Sequence, residues 1–179
     1  MLAACNKLNR HALYWIGIVV IGLAMEGVAL YYQYGLNYGP CILCVHVRAW
    51  VLAIVLVAAV GLFFRRHRLS NGIAHGLMLA LAVGLLLTSW ETLAIERGWT
   101  EAACEMKDEF PAWLPLHTWF PSTFQAWELC GYTPELLFGI TMAEGLVVIA
   151  AVAILFLLLQ LVALVTHRHT PHETPPETG

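Results

Sequence analysis

Residues 40–64 read PCILCVHVRAWVLAIVLVAAVGLFF, with Arg48 the only charge among them. A hydrocarbon core roughly 30 Å thick takes about 20 helical residues to cross, and the run from Cys44 to Phe64 is long enough. A segment in lipid must be a helix, because an open strand leaves its backbone unsatisfied there. Three other runs share this character, so the spans are placed near 11–32, 44–64, 71–91 and 138–165. The last is longer than needed, and it tilts or emerges into water. The expected fold is an all-α integral membrane protein, a four-transmembrane-helix bundle forming a single membrane domain over residues 1–179.

Composition agrees. The 179 residues are 60% hydrophobic and 12% charged, with mean hydropathy +0.72, where a soluble domain is nearer half apolar and a quarter charged. The first run exceeds the apolar core of a signal peptide, and no clear cleavage site follows it, so it is read as a retained span. Leu2-Ala3-Ala4-Cys5 has the form of a lipoprotein cleavage box but lacks the basic and apolar regions that precede one. A net charge of −3 gives no case for nucleic acid.

Basic residues set the expected orientation. Lys7 and Arg10 precede span one, Arg65, Arg66 and Arg68 fill the turn after span two, and Arg168 follows span four. The opposite side is mostly acidic, with Glu96, Glu101, Glu105, Asp108, Glu109, Glu128 and Glu135 against Arg97 and Lys107. The positive-inside rule then puts both termini in the cytoplasm. The loops at about 33–43 and 92–137 lie outside, in a bacterium the periplasm, where disulfides persist. Cys5 falls on the reducing side as a spare thiol. The tail at about 167–179 is polar and proline-rich, which predicts disorder, and its His167-Arg168-His169 run reads as solvated rather than metal-binding.

The second outer loop is rich in Trp and Pro. Trp113, Trp119 and Trp127 suit a membrane interface. Prolines at 111, 115 and 121 exclude one long helix, leaving room for a short interfacial helix or two. Packing of these aromatics against the bundle is the alternative.

Two cysteine pairs lie on this outer side. Cys41 and Cys44 form a CxxC where Pro40 opens span two, and both are expected in its first turn. Free N–H groups and the helix dipole favour a thiolate there. Arg48 follows Cys44 by four residues, so positions 41, 44 and 48 share one face. A cation beneath a thiolate stabilises it, and also stabilises negative charge on an acceptor. A snorkelling anchor is the alternative for Arg48, but it lies on the side that the positive-inside rule leaves poor in cations, and intramembrane charges are usually functional. A zinc site needs four closely spaced ligands, which Cys104 and Cys130 are too far apart to complete. Closing the loop between Cys104 and Cys130 would stabilise it by roughly 3–4 kcal/mol, a purely structural role. A second dithiol on the same side favours exchange instead. The acids beside Cys104 make it a poor nucleophile but leave it open to attack as a disulfide sulfur.

With these residues in view, the chain resembles the DsbB family of bacterial disulfide-bond formation proteins. The resemblance rests on four spans, Pro-Cys-x-x-Cys opening span two, and Arg four residues after the second Cys. It also rests on the loop pattern from Cys104 through Phe110, Pro111, Trp113, Leu114, Pro115, Leu116, Trp119 and Pro121 to Cys130. It implies an inner-membrane, quinone-dependent oxidase that sustains disulfide formation during periplasmic protein folding. Its partners would be a DsbA-like thioredoxin-fold protein and the ubiquinone or menaquinone pool in the bilayer. The implied disulfides are Cys41–Cys44 and Cys104–Cys130. Reduced DsbA would attack Cys104, Cys130 would attack Cys41, and Cys44 would face the quinone with Arg48 stabilising the charge. DsbA couples lie near about −120 mV, so a strong sink is required. Glu91 stands where some members carry His near the outer end of span three, and is grouped with Cys44 and Arg48 at the quinone. Val47 stands where some carry Glu. Glu26 in span one pairs with a cation, holds a proton, or makes a plain interhelical contact, and His46 faces away from the cysteine stripe.

Three other readings compete. A vitamin K epoxide reductase-like enzyme also uses a helical bundle and four cysteines, but lacks this loop pattern. A non-catalytic scaffold with two structural disulfides leaves Arg48 unexplained. A transporter would show repeats or interrupted spans.

Overall fold

The computed structural model describes residues 8–9, 11–100, 110, 114–128, 133–137 and 139–166. Cys5, Cys104, Cys130 and the tail from 167 lie outside the described residues. Four long helices dominate: α1 Ala12–Leu30, α2 Ile42–Phe64, α3 Arg68–Glu96 and, last in the chain, α6 Met142–Thr166. All four are long and apolar enough to cross a membrane. Their outward faces are apolar too, with Leu13 76% and Phe63 80% exposed. That pattern suits lipid rather than water.

Packing between these helices relies on small residues, as expected where lipid supplies no hydrophobic drive. Consecutive helices lie against one another, α1 on α2, α2 on α3, and α3 on α6. Gly22 lets α1 approach Val55 of α2, since a Cβ there would sit 2.3 Å from a Val55 methyl. Gly61 leaves the space that the Trp15 ring fills. Trp15, Met78, Ala58, Ala82 and Leu157 form one buried cluster, and Val47, Val51, Leu85 and Ala150 a second nearer the CxxC end.

A polar knot sits at the end away from the CxxC. His75 Nδ1 lies 2.8 Å from the Asn71 carbonyl. A carbonyl only accepts, so Nδ1 carries the proton and Nε2 accepts from the Tyr14 hydroxyl at 3.1 Å. Trp15 Nε1 and Asn71 Nδ2 both donate to the Asn9 carbonyl, at 2.9 and 3.3 Å. These bonds tie the segment before α1 to α3.

The outer end differs from the sequence expectation in three places. A π-helical turn, Tyr31–Gly35, continues α1 beyond Leu30 into the expected loop. It closes on Asn37 at φ 58, with the Tyr38 N–H reaching back to the Tyr32 carbonyl at 3.0 Å. This bond spans one residue more than a Schellman closure, in keeping with the wider π turn, and asparagine tolerates the left-handed position it needs. Helix α3 runs on to Glu96, past the expected limit near 91, because a helix need not stop where the apolar slab does. Two one-turn helices, α4 Leu116–Trp119 and α5 Pro121–Phe124, meet the expectation of short helices in the second loop. They are followed by a small unexpected antiparallel hairpin, β1 Glu135–Leu137 and β2 Ile140–Thr141. It is clamped to the end of α3. The Thr133 and Thr141 hydroxyls donate to Glu96 Oε2 at 2.7 and 3.3 Å, and Arg97 pairs with Glu144.

Candidate active site

Pro40 ends the first loop, and Cys41 caps α2 with extended backbone, φ −78 and ψ 168. The cap position is one residue ahead of the first-turn placement expected from sequence. The Cys41 sulfur accepts the Cys44 backbone N–H at 3.3 Å, the role that an oxygen plays in a common N-cap. The sulfurs of the two cysteines lie 2.7 Å apart. The Cys44 thiol hydrogen bond holds the Cys41 thiol below its ordinary value, against the opposing effect of burial. The N–H groups of Cys44 and Leu43 add to the lowering. A dithiol at a helix N-terminus therefore loses its first proton readily, because the remaining S–H and the free N–H groups stabilise the thiolate.

The two sulfurs face different neighbours. Cys44 and Arg48 line a cavity of about 390 Å³ between α1, α2 and α6, closed above by Tyr38–Pro40 and by Thr133 and Pro134. Most of its walls are apolar, with Met25, Val51, Leu146 and Ile149 among them. Cys41 does not line it. Its backbone instead pairs with Glu128 in an isolated parallel bridge, and it is 2% exposed. The Pro40 carbonyl accepts the Trp127 N–H at 2.9 Å and the Glu128 N–H at 3.4 Å. Gly39 permits this approach, because a Cβ there would lie 2.7 Å from Glu128 Cγ and 3.1 Å from Trp127 Cβ.

Arg48 is buried and donates three hydrogen bonds to neutral oxygens. Nη1 donates to Gln33 Oε1 at 2.5 Å and to the Thr123 carbonyl at 3.0 Å. Nη2 donates to the Ala29 carbonyl at 3.2 Å. Glu26 lines the same cavity. Its Oε2 is buried with no hydrogen-bond partner, and among the described residues it makes no ion pair with Arg48. Guanidinium and carboxyl thus face one cavity without being spent on each other.

The structure brings together Cys41, Cys44 and Arg48 from the sequence reading, and adds Glu26. Glu91 is exposed on α3 and outside the cavity lining, where Thr92 is the α3 residue instead. His46 turns toward the loop and meets the Phe110 ring edge-on at 5.0 Å. Sequence reasoning passed over Gln33, Thr92 and Thr133. For Gln33 a signal existed, a lone amide in the aromatic run Tyr31-Tyr32-Gln33-Tyr34.

Comparison with known proteins agrees with this geometry. The family described as "Disulfide bond formation protein DsbB" matches residues 11–160. "Disulfide bond formation protein B 2" of Pseudomonas aeruginosa is 35% identical over 144 residues, 79% of this chain and 85% of the relative. "Disulfide bond formation protein B" of Haemophilus influenzae is 33% identical over 166 residues, 91% of this chain and 93% of the relative. The protein of that name from Shewanella loihica is 31% identical over 150 residues, 82% of this chain and 86% of the relative. Agreement of this extent, reaching into all four spans and across the loops that close the cavity, makes the chain a member of the DsbB family, a multi-pass membrane disulfide oxidoreductase.

Proposed function

We propose that this chain oxidises a DsbA-like thioredoxin-fold protein in the periplasm and passes the electron pair to a membrane quinone, ubiquinone or menaquinone. The observation that carries this reading is the division of the dithiol. Cys44 faces an apolar cavity beside Arg48, while Cys41 lies under the segment that runs on to Cys130. Cys130 follows Glu128 by two residues, and two residues of chain span at most about 7 Å.

The cavity residues fit a quinone ring. A volume of about 390 Å³ with mainly apolar walls accepts a ring, and Glu26 Oε2 is a buried polar atom awaiting a partner. When bound, a quinone supplies a sink for two electrons and two protons. The donor thiolate attacks the Cys104–Cys130 disulfide at Cys104, and Cys130 leaves as a thiolate. Cys130 then attacks Cys41, breaking the Cys41–Cys44 bond and leaving the Cys44 thiolate in the cavity, where Arg48 favours its charge. The donor's second thiolate attacks the donor sulfur bound to Cys104, so the donor leaves as a disulfide and Cys104 as a thiolate, which then displaces Cys41 from Cys130. Re-forming the Cys41–Cys44 bond returns the chain to its starting state, so that overall the donor loses two electrons and two protons, which a bound quinone would accept. The basic Arg65-Arg66 turn at the far end of the bundle supports a cytoplasmic placement for that end in the inner membrane.

The test uses purified protein in detergent with a reduced thioredoxin-fold donor and a short-chain quinone. Equal losses of donor thiols and quinone absorbance, both absent in Cys44→Ser, are expected. Donor oxidation that leaves the quinone untouched would overturn the reading.

A further inference from the structure

Gln33 is 1% exposed inside the π-helical turn, and its two amide atoms serve different parts of the molecule. Oε1 accepts from Arg48 Nη1 at 2.5 Å. Nε2 donates to the Ser122 carbonyl at 3.1 Å. Arg48 itself donates to the next carbonyl, Thr123, at 3.0 Å. The guanidinium beside Cys44 is therefore bound to α5 of the second loop twice, once directly and once through Gln33. Tyr34 adds a separate hold, its hydroxyl donating to the Ser122 carbonyl at 2.5 Å. A few residues past α5, the same loop lays Trp127 and Glu128 against Pro40 and Cys41.

We infer that Gln33 is a positioning residue that couples the cavity to the outer loop. Arg48 has five N–H groups in a rigid fork, and three are directed at carbonyl-type oxygens of the chain. A cavity ligand with a carbonyl oxygen and a docked α5 both need the guanidinium in one orientation, and Gln33 enforces it. Each event then lowers the ordering cost of the other, and the coupling is reciprocal. Electron acceptor and loop thus act as one unit: a filled cavity holds the loop where Trp127 and Glu128 lie against Pro40 and Cys41. This inference rests on the reading of the cavity as a quinone site.

Hydrogen exchange over residues 114–128, with and without a short-chain benzoquinone, tests it. In the wild-type protein the quinone slows exchange there several-fold. In Gln33→Met, similar in volume but without the amide, that slowing disappears, and the KM for quinone rises roughly tenfold while kcat holds, as expected for one lost charge-assisted hydrogen bond. Tyr34→Phe exchanges faster at rest yet still slows on adding quinone, which separates coupling from general loosening. A wild-type protein that reduces quinone without any change in exchange overturns the coupling alone. Equal slowing in wild type and Gln33→Met shows that Gln33 does not carry it. Failure of the wild type to reduce quinone removes the underlying reading and this inference with it.

Discussion

The Trp127 N–H donates to the Pro40 carbonyl at 2.9 Å, so the chain approaching Cys130 is bonded to the residue that precedes Cys41. A CxxC at a helix start is common enough as a motif. Here the backbone of its first cysteine is bridged by the segment ending at Glu128, and its second cysteine lines the cavity within the bundle.

Gly39→Val tests the docking of that segment. The new side chain would collide with Glu128 and with Trp127 Cβ, which a Cβ alone would approach to 3.1 Å. Turnover with the thioredoxin-fold donor should fall about tenfold, and the KM for quinone should rise with it, because Gly39 also lines the cavity. Acid-quenched samples should show the donor trapped on Cys104. Wild-type turnover would mean that the bridge to Glu128 is dispensable.

Arg48→Ala removes a cation from the cavity and strands the groups it binds. Gln33 Oε1 and the Thr123 carbonyl lose a donor in a buried setting, which costs about 2 kcal/mol or more. A raised KM for quinone should therefore come with a lower melting midpoint in detergent. Arg48→Lys should restore little of either, because an ammonium does not reproduce the fork. A raised KM with unchanged melting would show that these bonds contribute nothing to the fold.

The first proton of the reduced dithiol should leave early. Cys41 is held below its ordinary thiol value mainly by the Cys44 thiol. In a chain with Cys5, Cys104 and Cys130 replaced by Ser, thiolate ultraviolet absorbance should appear below the usual thiol range of about 8.5. Between the lowered value and the ordinary one the folded protein absorbs and the denatured protein does not. Above the ordinary value both thiols of the denatured protein ionise, and its absorbance overtakes that of the folded one. Cys44→Ala removes the largest cause and should move the inflection back up.

Two glycine substitutions should differ in sign. Gly61→Ala places a Cβ 2.3 Å from the Trp15 ring, an overpacked contact costing about 1–3 kcal/mol. Gly76→Ala meets nothing within 4 Å and should be neutral or stabilising by up to about 1 kcal/mol, through helix propensity. Melting in detergent would separate them, and equal effects would argue against close packing at Gly61.

Much of this was legible along the chain. Span length and apolarity are local quantities, so four crossing helices follow from the run at 44–64 and its three counterparts. The shared face of Cys44 and Arg48 follows from helical periodicity, and a dithiol at a helix start from Pro40 and the spacing of the cysteines, whereas Cys41 caps the helix and stands outside the cavity. Other features depend on how the helices rotate and which loops cross them. Glu91 and Thr92 are sequence neighbours, yet a rotation of about 100° per residue leaves Glu91 exposed and turns Thr92 to the cavity. The π-helical turn decides that Gln33 is buried and meets Arg48, and no pattern in Tyr-Tyr-Gln-Tyr announces an extra residue in a helical turn. Glu26 lies far from Cys44 in sequence, and only the packing of α1 against α2 and α6 places both at one cavity. The different surroundings of Cys41 and Cys44 are likewise tertiary, set in part by a loop segment more than eighty residues downstream that hydrogen-bonds to the backbone of Pro40.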